Sequence, residues 1–120
     1  MKDITLVLGA SLNPERSAFH TLERLAAAKI RTIAIGLKEG NVAGIPLIKE
    51  NPMTDEVETV TLYLNAARQK PFYEYILSLH PRRIIFNPGA ENPELAQLAT
   101  DAGIESLFAC TRTMLSVGTY

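Results

Sequence analysis

The amino-acid sequence predicts an α/β fold in which an open parallel sheet of about five strands is covered by helices on both faces. Short apolar runs rich in β-branched residues alternate with segments whose apolar positions recur at helical spacing. The runs stop at glycine or at turn sequences, as strands buried on both faces do. The chain has 120 residues, close to the size of one domain and far below that of a closed eight-unit barrel. We therefore expect one domain over residues 1–120.

Each element is predicted from its own pattern. Strands are predicted where β-branched and apolar residues run up to a turn signal, such as Gly9, Gly36 or the sequence Asn87-Pro88-Gly89. Helices are predicted where apolar residues recur on one face, and Pro93 and Gly103 mark the two ends of the last one. In chain order we predict strand Ile4–Leu8, helix Ser17–Lys29, strand Thr32–Gly36, a loop from Lys38 to Asp55 with one short strand around Pro46–Ile48, strand Val57–Leu64, helix Arg68–Leu79, strand Arg83–Phe86, helix Glu91–Ala102 and strand Ile104–Cys110.

Charge, cysteine content and the start of the chain argue against several classes of function. Twelve basic and thirteen acidic residues give a formal charge of -1, so we expect no nucleic-acid partner. The apolar run before Gly9 is too short for a signal or a membrane-spanning segment, and we expect no membrane partner. A single cysteine, Cys110, allows no internal disulfide and fits a cytoplasmic location.

The loop after the first strand is the strongest candidate for a ligand site. In an open parallel sheet, ligands bind beyond the carboxyl ends of the strands, where the strand order reverses. Gly9 permits a tight turn, and Ala10 and Ser11 are small enough for a ligand to approach the backbone. Arg16 adds a cation suited to a diphosphate, and Ser17 is placed to cap the following helix. The alternative is that Ser17 is only a cap and Arg16 an exposed surface charge.

Two further strand ends contribute candidate residues. Domains that bind NAD place a carboxylate after the second strand, whereas this chain has Lys38 there, which favours a phosphorylated ribose such as that of coenzyme A or NADP. Glu39 takes the acidic role if the strand ends later. Asn87-Pro88-Gly89 joins a strand to a helix as the first loop does, although it is also an ordinary turn sequence.

The sequence indicates no catalytic set. Cys110 ends an apolar run, and neither His20 nor His80 falls at a predicted strand end, so a Cys/His pair is not indicated. Neither a Ser/His/Asp arrangement nor carboxylates at metal-binding spacing can be assembled. We therefore expect a binding module rather than an enzyme.

Taken together, these segments resemble the small stand-alone proteins of the CoA-binding domain family, which are related to the nucleotide-binding domain of the succinyl-CoA synthetase α subunit. The resemblance implies a Rossmann-like fold in which the Gly9–Ser17 loop contacts the diphosphate and Lys38 lies near the nucleotide. It also implies that Leu64 and Asn65 line the other side of the crevice. The segments that carry it are Val7-Leu8-Gly9-Ala10-Ser11, Arg16-Ser17, Lys38, Gly44 before a short strand, Asn87-Pro88-Gly89-Ala90-Glu91-Asn92, the alanine-rich segment 99–104 and Cys110.

Three hypotheses about function follow. The first is a module that binds coenzyme A or acyl-CoA without catalytic residues of its own. The second is an NADP-dependent redox or redox-sensing domain. The third is a protein-interaction module that keeps the fold after losing its ligand. An apolar face on the last helix or on an edge strand could also support a homo-oligomer.

Overall fold

The computed structural model describes residues 2–120, and this part of the chain contains strands and helices in alternation, as predicted. The strands are β1 (Ile4–Ala10), β2 (Thr32–Gly36), β3 (Gly40–Val42), β4 (Ile45–Ile48), β5 (Val57–Leu62), β6 (Arg83–Phe86) and β7 (Glu105–Phe108). The helices are α1 (Ser17–Ala27), α2 (Ala66–Gln69), a 3-10 turn (Lys70–Phe72), α3 (Tyr73–Ser78), α4 (Pro93–Asp101) and α5 (Thr111–Val117). The predicted α/β fold class is confirmed.

The seven strands form one sheet in the order β3-β4-β2-β1-β5-β6-β7. Neighbouring strands are parallel except in the β3–β4 pair, which is antiparallel. β1 lies in the centre of the sheet, with β2 on one side and β5 on the other. The strand order therefore reverses at β1, and a Rossmann-like sheet places its ligand crevice at such a point.

The prediction of about five strands is too low, because the segment expected to be mostly loop contains the β3–β4 hairpin. Its two-residue turn, Ala43-Gly44, has positive φ at both positions, which the favoured type I′ hairpin turn requires. The side chain of Asn41 accepts a hydrogen bond from the backbone N–H of Gly44 at 2.9 Å. β4 then adds to the sheet beside β2, with Leu47 opposite Ala34. Strands of three and four residues depend on such pairing, which a local sequence pattern does not contain.

Two helical regions also differ from the prediction. The expected helix Arg68–Leu79 is divided into α2, a 3-10 turn and α3, because Pro71 lies at the start of that turn and has no N–H to donate. The last strand ends at Phe108 instead of Cys110, and Cys110 occupies the cap position of α5, a helix that the sequence did not predict. Gly103 does end α4 with positive φ, as expected.

Helices cover both faces of the sheet, one of which is filled by apolar side chains and the other by apolar and polar side chains. The apolar face lies under α3 and α4, whereas the mixed face lies under α1 and α5. Alternation along β1 directs Leu6 and Leu8 to the apolar face and Val7 to the mixed face. The apolar face is built from buried residues that include Leu6, Leu8, Val60, Leu62, Ile84 and Phe86 on strands, with Ile76, Leu79, Leu95 and Ala99 above them. The apolar part of the mixed face includes Val7, Ala34 and Leu47, with Leu22 and Leu25 above them.

The mixed face also carries polar side chains over β5 and β6, and the C-terminal segment covers them. The Thr61 and Thr111 hydroxyls are 2.8 Å apart, and the Arg83 Nε–H donates to the Thr59 hydroxyl at 2.8 Å. The Arg83 guanidinium also lies 4.5 Å from the centre of the Tyr120 ring. Within the described chain, no buried side-chain nitrogen or oxygen lacks a hydrogen-bond partner.

Across residues 2–120, none of the helices has both the length and the apolar character needed to cross a membrane.

Candidate functional site

A cleft of about 1220 Å³ opens at the carboxyl ends of β1, β2, β4 and β5, beside the reversal of strand order. One wall is the loop between β1 and α1, and the opposite wall is the β5–α2 connection with the 3-10 turn. The segments that follow β2 and β4 close a third side. Four separate segments of the chain thus converge on the position where an open parallel sheet binds its ligand.

Two glycines let the backbones converge at this point. Gly9 has φ +96° and forms a bulge where the β1–β2 register shifts. A Cβ on Gly9 would lie 3.0 Å from the carbonyl carbon of Tyr63 and 3.1 Å from the nitrogen of Leu64, so a side chain there would push away the segment that follows β5. A Cβ on Gly36 would lie 2.5 Å from the carbonyl oxygen of Ala10. The close backbone packing at the floor of the cleft therefore requires that Gly9 and Gly36 have no side chain.

The loop between β1 and α1 is held by its own hydrogen bonds. The Ser11 hydroxyl accepts from the backbone N–H of Asn13 at 3.0 Å, and the Asn13 side chain accepts from the N–H of Glu15 at 3.0 Å. The His20 Nε2 donates to the carbonyl oxygen of Pro14 at 2.7 Å, which ties the loop to the first turn of α1. His20 thus has a structural role in this loop.

The N-terminus of α1 faces the cleft without a side-chain cap. Ser17 was expected to cap the helix, but this expectation is wrong, because the helix begins at Ser17 and Arg16 takes the cap position. Arg16 has extended backbone and makes no capping hydrogen bond with its side chain. Arg16, Ser17 and Ala18 all line the cleft. An uncapped helix start has free N–H groups and a positive dipole end, both of which favour an anion.

Four cations line the cleft, and no aspartate or glutamate does. They are Arg16 before α1, Lys38 after β2, Lys49 after β4 and Arg68 on α2. In the part of the chain that the structure describes, none of the four forms an ion pair; the arginines that do are Arg31 and Arg82, on other surfaces. A chain with a net charge of -1 therefore concentrates unpaired positive charge in one cleft.

Apolar side chains complete the walls. Leu64, Ala67, Pro71 and Phe72 line the side formed by the β5–α2 connection. Leu12 lies on the opposite side, packed over Gly40 so closely that a Cβ there would be 2.7 Å from it. The cleft thus offers cations and free N–H groups beside an apolar surface, which suits a ligand with both phosphate and apolar parts.

Of the eleven residues proposed from sequence, seven line the cleft: Gly9, Ala10, Ser11, Arg16, Ser17, Lys38 and Leu64. Asn65 lies outside the lining, and its side chain accepts from the backbone N–H of Arg68 at 2.9 Å as the N-cap of α2. It therefore positions the first turn of the helix that carries Ala67 and Arg68 into the cleft.

Asn87, Pro88 and Gly89 also lie outside the lining. Asn87 is buried, and its amide nitrogen donates to the Thr61 hydroxyl at 2.7 Å and to the carbonyl oxygen of Leu62 at 2.8 Å. Its side-chain oxygen accepts from the backbone N–H of Thr111 at 2.8 Å. All of these contacts are internal, so the geometry gives Asn87 a role in joining β5, β6 and α5.

Sequence reasoning missed Lys49, Arg68 and Phe72. Lys49 lies in the stretch that was expected to be loop, and Arg68 was assigned to a helix with no reason to face the site. The sequence shows that Lys49 and Arg68 are charged, but their meeting in one cleft depends on the β4–β2 pairing and on the break at Pro71.

The pKa is shifted for Tyr63, which lines the cleft, and for Cys110, the cap residue of α5. Burial raises the pKa of the Tyr63 hydroxyl, which bonds to the hydroxyl of Thr21 on α1. Burial opposes ionisation of Cys110, but hydrogen bonds from the Thr113 side chain and from backbone N–H groups outweigh it and lower the thiol pKa. In the described part of the chain, no group of three or more His, Cys, Asp or Glu side chains is arranged to hold a metal ion.

Comparison with known proteins gives a family match and a set of similar structures. The family described as CoA binding domain matches residues 4–116. The crystal structure of a protein described as uncharacterized is 45% identical, has a TM-score of 0.93 and aligns over 100% of this chain and 99% of its own. Two less similar structures share the fold. Cell-free ID.343 from Thermus thermophilus is 17% identical, with a TM-score of 0.85, and the alignment covers 99% of this chain and 91% of that one. A hypothetical protein from Pyrococcus horikoshii OT3 is 24% identical, with a TM-score of 0.82, and the alignment covers 97% of this chain and 82% of that one. Among curated proteins there is no significant match.

Proposed function

This chain belongs to the CoA-binding domain family, and on that premise we propose that it binds coenzyme A or acyl-CoA in the cleft beside β1. The observation that carries the proposal is the meeting of an uncapped helix N-terminus with four unpaired cations in one cleft lined by no carboxylate. Coenzyme A carries a diphosphate and a third phosphate on its ribose. A site of this kind compensates such charge locally, although the chain as a whole is nearly neutral.

Each wall of the cleft has a part in the proposal. The diphosphate lies against the Gly9–Ser17 loop and the start of α1, where N–H groups and the Arg16 guanidinium reach its oxygens. The ribose of the nucleotide lies near Lys38, at the edge of the cleft that follows β2. The apolar surface of Leu64 and Phe72 then takes the less polar arm of the ligand. The protein is proposed as a binder with no catalytic residues of its own.

Isothermal titration calorimetry with coenzyme A, NADP, NAD and ATP tests the proposal. We expect binding heat with coenzyme A and little or none with NAD or ATP. A preference for NADP would favour the alternative of a redox or redox-sensing domain, which the lysine after β2 also permits. Absence of heat with all four ligands would contradict the proposal and favour an interaction module.

Substitutions in the cleft then test the site. We expect Arg16→Ala and Lys38→Ala each to weaken coenzyme A binding by about 1–3 kcal/mol, since each removes a hydrogen-bonding cation from a phosphate. Arg24→Ala is the matched control, because Arg24 is an exposed arginine of α1 outside the cleft. Unchanged affinity in both cleft variants would remove Arg16 and Lys38 from the binding site.

A further inference from the structure

The ends of β2 and β4 bring two lysines to one edge of the cleft. β2 and β4 are parallel neighbours, with Ile35 opposite Ile48, and both strands end within one residue of this pair. Lys49 follows β4 directly, and Lys38 lies two residues beyond the end of β2. Parallel neighbours are about 4.8 Å apart, so the two segments leave the sheet side by side.

The packing of β4 directs Lys49 toward the cleft. Ile48 packs against the apolar face, whereas Leu47 and Lys49 line the cleft, in keeping with the alternation of side chains along a strand. Leu47 is buried, and its methyl group would lie 3.6 Å from a Cβ placed on Gly36. The end of β4 is thus fixed against the end of β2, and this packing places Lys49 on the same face of the sheet as Leu47, beside the cleft.

No acidic side chain of the described residues neutralises either lysine. Glu39 and Glu50 are their neighbours in sequence, yet neither lines the cleft. Within residues 2–120, neither Lys38 nor Lys49 makes an ion pair. Two cations that face the same space repel each other, and a group with two negative charges placed between them relieves that repulsion.

From this geometry we infer that Lys49, together with Lys38, binds a phosphate monoester on the ligand ribose and makes the site selective for nucleotides that carry one. The inference rests on the proposed function. The lysines follow strands that lie one and two positions away from β1, about 5–10 Å from it across the sheet, and the loop that follows β1 faces the proposed diphosphate. A ribose joined to that diphosphate extends over this distance toward β2 and β4. Lys49 is therefore the second half of a phosphate site of which Lys38 is the first.

The test compares each phosphorylated nucleotide with its partner that lacks the ribose phosphate. Wild type, Lys49→Met and Lys70→Met are titrated with coenzyme A, dephospho-coenzyme A, NADP and NAD. Lys70→Met is the matched control, because it removes the same charge from an exposed lysine outside the cleft. We expect Lys49→Met to weaken coenzyme A binding about tenfold while dephospho-coenzyme A binding stays within about twofold. Lys70→Met and the charge-conserving Lys49→Arg should retain the preference.

The outcomes separate the inference from the proposed function. Wild type that binds coenzyme A, with a Lys49→Met variant that keeps the full preference over dephospho-coenzyme A, would overturn the inference alone. An equal loss of affinity for coenzyme A and dephospho-coenzyme A in Lys49→Met would also overturn the inference, since it would mean that Lys49 contributes to binding without contacting the ribose phosphate. A wild type that binds NADP but not coenzyme A, with its preference over NAD lost in Lys49→Met, would support the phosphate site while contradicting coenzyme A as the ligand. Failure of the wild type to bind any of the four would overturn both.

Discussion

The apolar face of the sheet is filled by aliphatic and aromatic side chains under α3 and α4, whereas the mixed face carries polar side chains where β5 and β6 meet the C-terminal segment. On the apolar face, side chains such as Leu62 and Phe86 are stabilised by removal from water, which has little directional preference. On the mixed face, Asn87, Thr61 and Arg83 form hydrogen bonds with defined partners. The apolar face thus holds the larger of the two buried apolar clusters, and the hydrogen bonds of the mixed face position α5 and Tyr120.

Arg83 shows how the mixed face satisfies a buried charge. Its side chain is 6% exposed, and no carboxylate pairs with it in the part of the chain described by the structure. It donates to the Thr59 hydroxyl and to the carbonyl oxygen of Tyr120 at 3.4 Å, and its guanidinium lies over the Tyr120 ring. Tyr120 therefore stabilises a buried charge that no acidic side chain of the described residues pairs with.

The largest expected effect comes from breaking the apolar face. Phe86→Ala should lower the free energy of unfolding by about 3–5 kcal/mol, because Phe86 is buried at the centre of that core. Phe108→Ala is the matched control: Phe108 stacks on Phe86 at 5.0 Å but is 55% exposed, and we expect a loss of only about 1 kcal/mol. Urea denaturation measures both. Equal losses would contradict a core centred on Phe86.

Asn87→Ala should break the mixed face with a smaller loss, about 2–3 kcal/mol. The substitution leaves the N–H of Thr111 and the carbonyl of Leu62 without their partners. Because Asn87 joins β5 and β6 to α5, the effect should be local, with faster amide hydrogen exchange in α5. Exchange in α4, on the apolar face, is the internal control. A uniform increase in both helices would argue against the separation of the two faces.

Tyr120→Leu should cost about 1–2 kcal/mol, since it removes the ring over Arg83 and the hydroxyl bonded to Thr5. Tyr120→Phe retains the ring and loses only the hydroxyl bond, so its effect should be roughly half as large. Thermal unfolding of the two variants measures the difference. If both lose the same stability, the interaction of the ring with Arg83 contributes nothing.

The smallest effect at neutral pH is expected for Tyr75→Phe, about 1 kcal/mol, through loss of a 2.6 Å hydrogen bond to the carbonyl of Pro52. Burial raises the pKa of Tyr75 to about 12, compared with the ordinary value of 10.0. Above pH 10 the unfolded chain therefore loses this proton before the folded chain does, and stability falls as the pH rises from about 10 to about 12. Urea denaturation over this range should show a shallower fall for Tyr75→Phe. The same slope in both proteins would contradict the assignment.

The central strands and α1 could be predicted because their signals are local. β1, β2 and β6 are apolar runs that stop at or next to turn residues, and α1 has a clear apolar face. The short strand predicted around Pro46–Ile48 corresponds to β4, whereas β3 was missed because it has only three residues and is stabilised by pairing with β4. α5 was missed because it is short and polar, and it is held by Asn87 and by the contacts of Tyr120. Such elements depend on tertiary contacts, which a local pattern does not report.

The candidate site divides in the same way. The β1–α1 loop and Lys38 were found because a strand followed by glycine and then by a helix places them at a sheet edge. Lys49 and Arg68 were missed because their approach to that edge requires knowledge of which strands are neighbours. Asn87 was proposed for the ligand because it follows a strand, but a strand end does not reveal whether a polar side chain turns outward or, as here, into the protein.

The groups that line the cleft come from four stretches of chain distant in sequence: the β1–α1 loop, Lys38, Lys49 and the segment from Leu64 to Phe72. In the unfolded chain these stretches are apart, so a molecule that fits the cleft binds only the folded protein and adds to its stability by mass action. A filled cleft therefore lengthens the survival of the protein in the presence of proteases, and an empty one shortens it.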